Sequence, residues 1–173
     1  MKKAFSFMEL ILVIILISLI YMIFIPNLKL PLKKQQFLTL DNLKSQLLKN
    51  EFEESLLFSC IEKDFECFVF IDGKLKKELG IKNFFEIKPE VYKYDNILNR
   101  VKFNDLKFDT FEDFSVVFEL KFDKYKHHKD MVVETNHGIY ILNAVLKEPI
   151  KLEYLNDVYD YRDRLAREIK NAF

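Results

Sequence analysis

The chain has 173 residues, enough for one domain and a tail but not for two full domains. Its 27 Lys and Arg balance its 27 Asp and Glu, so no net charge draws it toward nucleic acid or anionic lipid. Eighteen Phe, three Gly and no Trp follow the bias of AT-rich coding and exclude little by themselves.

The N-terminus holds the dominant feature. From Phe5 to Ile25, 21 residues carry one charge, Glu9, and one other polar residue of note, Ser18. At about 1.5 Å per residue such a helix covers roughly 30 Å, the thickness of a bilayer's hydrocarbon core, which predicts a single membrane span. The run is too long for the apolar region of a secretory signal, and no A-x-A-like site follows it. Met1-Lys2-Lys3 and the terminal amine favour a cytoplasmic N-terminus. Lys29, Lys33 and Lys34 follow on the other side, so the lysine count alone does not decide the orientation.

Lys2-Lys3-Ala4 followed by Phe5-Ser6-Phe7-Met8-Glu9-Leu10-Ile11-Leu12-Val13 resembles the prepilin signal of type IV pilins and pseudopilins. That signal is a short basic leader, a small residue, a Phe, and a Glu as the fifth residue of the mature chain. The family usually has Gly where Ala4 stands. Pro26, 21 residues after Phe5, falls where many pilins carry a helix-bending proline. The resemblance covers about the first 26 residues. It implies cleavage between Ala4 and Phe5, N-methylation of Phe5, assembly through Glu9 and a helix kink at Pro26. A carboxylate early in a membrane helix is costly and needs a partner. In the family that partner is the mature N-terminal amine of the same or a neighbouring subunit. The competing reading is an uncleaved signal anchor in which Glu9 snorkels.

Beyond Pro26 and Pro31, Lys33 to Leu57 reads helical. Phe37, Leu40, Leu43, Leu47, Leu48 and Phe52 share one broad face, interrupted by Lys44 and Glu51. The remainder reads as strands. Phe58–Glu62 and Phe65–Ile71 flank a tight turn at Lys63-Asp64, and Asp72-Gly73 marks the next turn. Val116, Phe118, Leu120 and Phe122 alternate with polar residues. Met131–Thr135 and Ile139–Val145 are joined by Asn136-His137-Gly138. Phe84–Lys88 and Val101–Phe108 are weaker strands. From Glu153 on, Leu155, Val158, Tyr159, Arg162, Leu165, Ala166 and Ile169 recur at helical spacing. The expected organisation is a leader (1–4), a transmembrane and assembly helix (5–25), the outer half of that helix (26–57) and a β-rich domain ending in a helix (58–173). The fold class is α+β, with a long N-terminal helix continuing into a small domain that has an antiparallel sheet, the lollipop shape of pilins.

Cys60 and Cys67 fall opposite each other if the hairpin turns at Lys63-Asp64. They are either a cross-strand disulfide, contributing about 2 kcal/mol, or two reduced, buried thiols. His127, His128 and His137 are expected in surface loops, since adjacent histidines on a strand point to opposite faces and zinc needs converging ligands. The basic stretch Lys121–Lys129, with interleaved aromatics, has the composition of a nucleic-acid contact, but charged strand ends around a turn explain it as well. Asp157, Asp160 and Asp163 fit one face of a helix better than a calcium loop. No metal or cofactor is expected. No nucleophile elbow, phosphate-binding glycine loop or catalytic carboxylate pair is present, so an enzyme is not expected.

The function implied is a structural subunit of a pseudopilus or type IV pilus-like filament serving protein secretion or DNA uptake. The resemblance implies placement in the bacterial inner membrane, with the N-terminus cytoplasmic and the globular part periplasmic. Its partners would be other pilins or pseudopilins, prepilin peptidase, the inner-membrane assembly platform and membrane lipid. The alternative is a non-polymerising, single-pass periplasmic module that binds DNA or a protein.

Overall fold

The apolar run near the N-terminus forms α1 (Phe7–Phe24), a helix of 18 residues with no basic residue in its last turn. The computed structural model describes residues 7–24, 38–107, 113–146 and 148–171. The chain divides into two units, Met1–Phe37 and Leu38–Phe173. Among the described residues no helix is long and apolar enough to cross a membrane. This corrects the expected transmembrane helix. With it goes the placement as a single-pass inner-membrane protein with a cytoplasmic N-terminus and a periplasmic domain. The single-pass placement in the alternative reading, a binding module, is corrected by the same finding.

The expected long N-terminal helix is corrected too. Of the residues between Lys33 and Leu57 that read helical, the described part holds only α2 (Leu43–Leu47). Five residues cannot sustain a helix alone, and α2 stands because Leu43 and Leu47 are buried. Further on, residues 53–55 are held out of a helix by a residue far away in sequence. The half-buried Asp72 carboxylate accepts from the backbone N–H of Glu53, Glu54 and Ser55, at 2.7 Å from Glu54 and 3.0 Å from Ser55. Those donors are lost to a helix, and β1 (Ser55–Ile61) begins directly after them.

The strands that follow are β2 (Cys67–Ile71), β3 (Lys74–Leu75), β4 (Glu90–Lys93), β5 (Leu106–Lys107), β6 (Asp113–Phe114), β7 (Val116–Asp123), β8 (Met131–Thr135), β9 (Gly138–Leu142) and β10 (Ile150–Leu152). The helix α3 (Asp157–Asn171) closes the order. Two antiparallel four-stranded sheets result, in the orders β3-β2-β1-β7 and β10-β9-β8-β4, with β5 and β6 forming a separate pair. Asp72 and Gly73, both at positive φ, make the two-residue turn between β2 and β3, as an Asp-Gly hairpin requires. Gly138 sits at φ 121, where an added Cβ would come within 2.9 Å of the Leu152 carbonyl oxygen, so β10 can pair closely with β9.

Period-two alternation decides the packing. Leu56, Phe58 and Cys60 of β1 and Phe118, Leu120 and Phe122 of β7 turn inward and meet Val91, Val133 and Tyr140 of the second sheet. Leu40, Leu43 and Leu47 join the same core. The alternate residues of the second sheet, Tyr92, Val132, Ile139 and Ile141, face the other way and are covered by Val158 of α3. The second sheet is therefore buried on both faces. Residues Phe84–Lys88, expected as a strand, form a loop instead. It delivers Phe84 and Phe85 edge-on into a ring cluster with Phe58 and Phe118, at centroid separations of 4.8 to 6.2 Å. Val101–Phe108 contributes only the two residues of β5 to the described strands.

Candidate functional site

The first candidate is the surface of α1. Phe7, Met8 and residues 10–17 are all exposed, from 38% at Ile11 to 75% at Phe7. A helix with apolar side chains all round has no solvent face of its own and calls for cover. Glu9 lies on α1. Ala4, Phe5 and Pro26, the residues implied as the cleavage, methylation and kink positions, lie outside the described residues.

The second candidate is a pair of open pockets beside β7, of about 410 and 910 Å³, that share Val101 and Phe103. The wider pocket is lined by Lys93, Tyr94 and Asp95, by Glu119, Lys121 and Asp123 of β7, and by residues 127–131. The basic stretch 121–129 that sequence singled out forms one wall. Its turn is locally satisfied: Asp123 Oδ1 accepts from the backbone N–H of Tyr125 and of His127, each at 2.9 Å. The Lys124 ammonium lies 5.0 Å from the centre of the Tyr125 ring. Within this pocket, burial pushes the Glu119 carboxyl above the usual range, with Lys121 acting against it. Asp95 is held below that range, chiefly by hydrogen bonds from the Asn99 side chain and from backbone donors of its own loop. The lining therefore mixes both charges and offers no single-sign field for a nucleic-acid backbone.

The histidines separate in the structure. His127 and His137 are exposed, whereas His128 is 7% exposed, its ring edge-on to Phe122 at 5.3 Å. The expectation of three surface histidines is corrected for His128. Its position just before β8 turns the ring under β7, and adjacency to His127 hid this in the sequence. Among the described residues no three His, Cys, Asp or Glu side chains gather as metal ligands. Asp157, Asp160 and Asp163 lie along α3, and Asp157 Oδ2 accepts from the Tyr154 backbone N–H at 3.0 Å, closing the helix start.

Comparison with protein-family models, with curated proteins and with solved structures finds no match to this chain.

Cys60 and Cys67 face each other in the ladder of β1 and β2 and are joined by a disulfide, S–S 2.02 Å. Both are buried, so the bond is shielded from solvent. The turn between them is wider than a two-residue hairpin. Asp64 and Phe65 take positive φ, and the Glu66 carbonyl accepts from the Ile61 N–H at 2.9 Å.

Two further groups escaped the sequence reading. Lys44, which seemed to interrupt an apolar helix face, donates to the carbonyl oxygens of Asn143, Ala144 and Leu146 at 3.1, 2.5 and 2.8 Å. Burial lowers its pKa, and Asp130 opposes the shift. The Tyr92 hydroxyl lies 2.5 Å from Glu90 Oε2 and 2.9 Å from Glu134 Oε2, with Arg100 paired to Glu90. Burial, then these two carboxylates, raise the phenol well above its ordinary value. No local pattern marks either group, because their partners lie up to about a hundred residues away in sequence.

Proposed function

We propose that the chain is a structural subunit of a pseudopilus or type IV pilus-like filament, assembled with other pilins or pseudopilins through α1. The observation that carries this reading is the leader: Lys2-Lys3-Ala4, Phe5 and Glu9 stand in register at the head of a helix whose described side chains are apolar and exposed. Prepilin peptidase removes residues 1–4, which frees the amine of Phe5. In the mature filament Glu9 pairs with such an amine on a neighbouring subunit, so register is selected by one charge pair among apolar contacts. Two unit charges about 4 Å apart attract by ~4 kcal/mol at an effective dielectric near 20, before desolvation is subtracted. The apolar surface of α1 supplies the non-directional part of the attraction, at roughly 25 cal/mol per Å² covered. An assembly platform would add subunits one at a time.

The test is the mass of the intact protein from its native source. The expected species begins at Phe5 and carries one added methyl group, and replacing Ala4 by a bulky residue blocks its formation. A protein that retains Met1 to Ala4 in an assembled filament would refute the proposal.

A further inference from the structure

His128 is a titratable group buried where the proposed assembly makes no use of it. Its Nδ1 lies 2.8 Å from the Lys129 carbonyl oxygen, which can only accept, so the proton of the neutral ring is assigned to Nδ1. Nε2 is then an acceptor, buried and without a hydrogen-bond partner among the described residues. Phe122 closes one side of the ring. The charged groups that act on it are the Lys44 ammonium from α2 and the Asp130 carboxylate just before β8. The wall of the wider pocket adds Lys93 of β4 and Glu119, Lys121 and Asp123 of β7.

The Lys44 ammonium already serves as a clamp. It holds three carbonyl oxygens of the strap 143–146, and Asp130 Oδ1 holds the same strap by accepting from the Ala144 N–H at 2.6 Å. The Asn143 carbonyl, one of the three, also lies against His128. One partly buried corner thus holds the half-buried Lys44 cation, the buried neutral imidazole and the Asn143 carbonyl.

We propose that His128 is an acid-sensitive latch: its protonation sets a second cation beside Lys44 and loosens the grip of α2 on the strap 143–146. Burial, reinforced by Lys44, holds the imidazole below its ordinary value, while the Lys129 carbonyl, Asp130 and the Asn143 backbone act against the shift. The folded chain therefore binds this proton less readily than the unfolded chain does. The stability contributed by the neutral ring is complete above the unfolded value of about 6.5 and is lost as pH falls from there toward the lower folded value. Glu119 titrates with the opposite sign, because its raised pKa adds stability as pH falls, so it cannot imitate the effect. The carboxylates held below their ordinary range, Asp72, Glu90 and Asp95, respond only at more acid pH.

The experiment is hydrogen exchange of the full chain, followed at the amides of residues 43–47 and 143–146. At about pH 5.5, protection relative to the intrinsic exchange rate should fall by about tenfold from its value near pH 7.5, and His128→Gln should remove that dependence. Equal protection at the two pH values in the wild type would overturn the latch. Should His128→Gln not fold, Lys44→Met offers a second reading. Removing the neighbouring cation should move the His128 titration, followed by NMR of its ring protons, upward toward the ordinary value. An unmoved titration would likewise overturn it.

Discussion

Two helices, α1 and α3, show how differently one chain treats apolar residues. In α3 the apolar positions are sparse, and Val158 and Tyr161, with Leu155 just before the helix, pack on the outer face of the second sheet. Around them Asp, Glu, Arg and Lys side chains remain in water. In α1 every described side chain is apolar, and every one stands exposed. The lesson is that apolar content does not assign a helix to a core; an amphipathic period does. A helix without a polar face is unfinished by itself, and the proposed filament supplies its cover from other subunits.

The sharpest way to break this contrast is to attack the core of the Leu38–Phe173 unit. Phe58 is fully buried at the centre of the aromatic cluster, and Phe58→Ala should cost the Leu38–Phe173 unit about 3–5 kcal/mol in denaturant unfolding. A cost below ~1 kcal/mol would show that the cluster is not the centre of stability. Next in size is the disulfide. Replacing Cys60 and Cys67 together by Ala should lower stability by about 2 kcal/mol through the freed short loop, with somewhat more from lost packing of two buried sulfurs. Thiol labelling of denatured, unreduced protein made under oxidising conditions should find neither cysteine. The smallest effect on stability is expected on α1: Leu12→Glu, at a position 60% exposed, should leave the unfolding midpoint of the sheet unit within about 0.5 kcal/mol of wild type. A larger loss would mean that α1 is part of the fold.

Much of the sheet unit was legible in the sequence where pattern and partner coincide. Phe118, Leu120 and Phe122 alternate with Glu119 and Lys121, and the structure buries the first set and leaves Lys121 exposed. The β8–β9 hairpin was visible from Asn136, His137 and Gly138, and α3 from its spacing of three and four. What misled was a helical period without a helix. Leu40, Leu43 and Leu47 do enter the core together, but Asp72 takes the backbone donors of residues 53–55 and the chain turns to strand. The strand β4 was missed because Pro89, Glu90 and Lys93 hide a four-residue element whose partner, β8, lies some forty residues on. The same limit applies to the sites. The pattern of Lys2, Lys3, Ala4, Phe5 and Glu9 is local and can be read directly as a resemblance, whereas the pairing of Lys44 with the strap and the burial of His128 are made by tertiary contacts alone.

The most direct test of assembly through α1 is co-purification or crosslinking of partner subunits with wild type and Glu9→Val at equal abundance. Val removes the charge while keeping the helix apolar, so the surface of α1 is preserved and only the pairing of Glu9 with a neighbour's amine is lost. The account predicts an unchanged fold of the Leu38–Phe173 unit together with a loss of co-purifying subunits, about fivefold or more for a pair worth 1–2 kcal/mol. Undiminished assembly of Glu9→Val would contradict it.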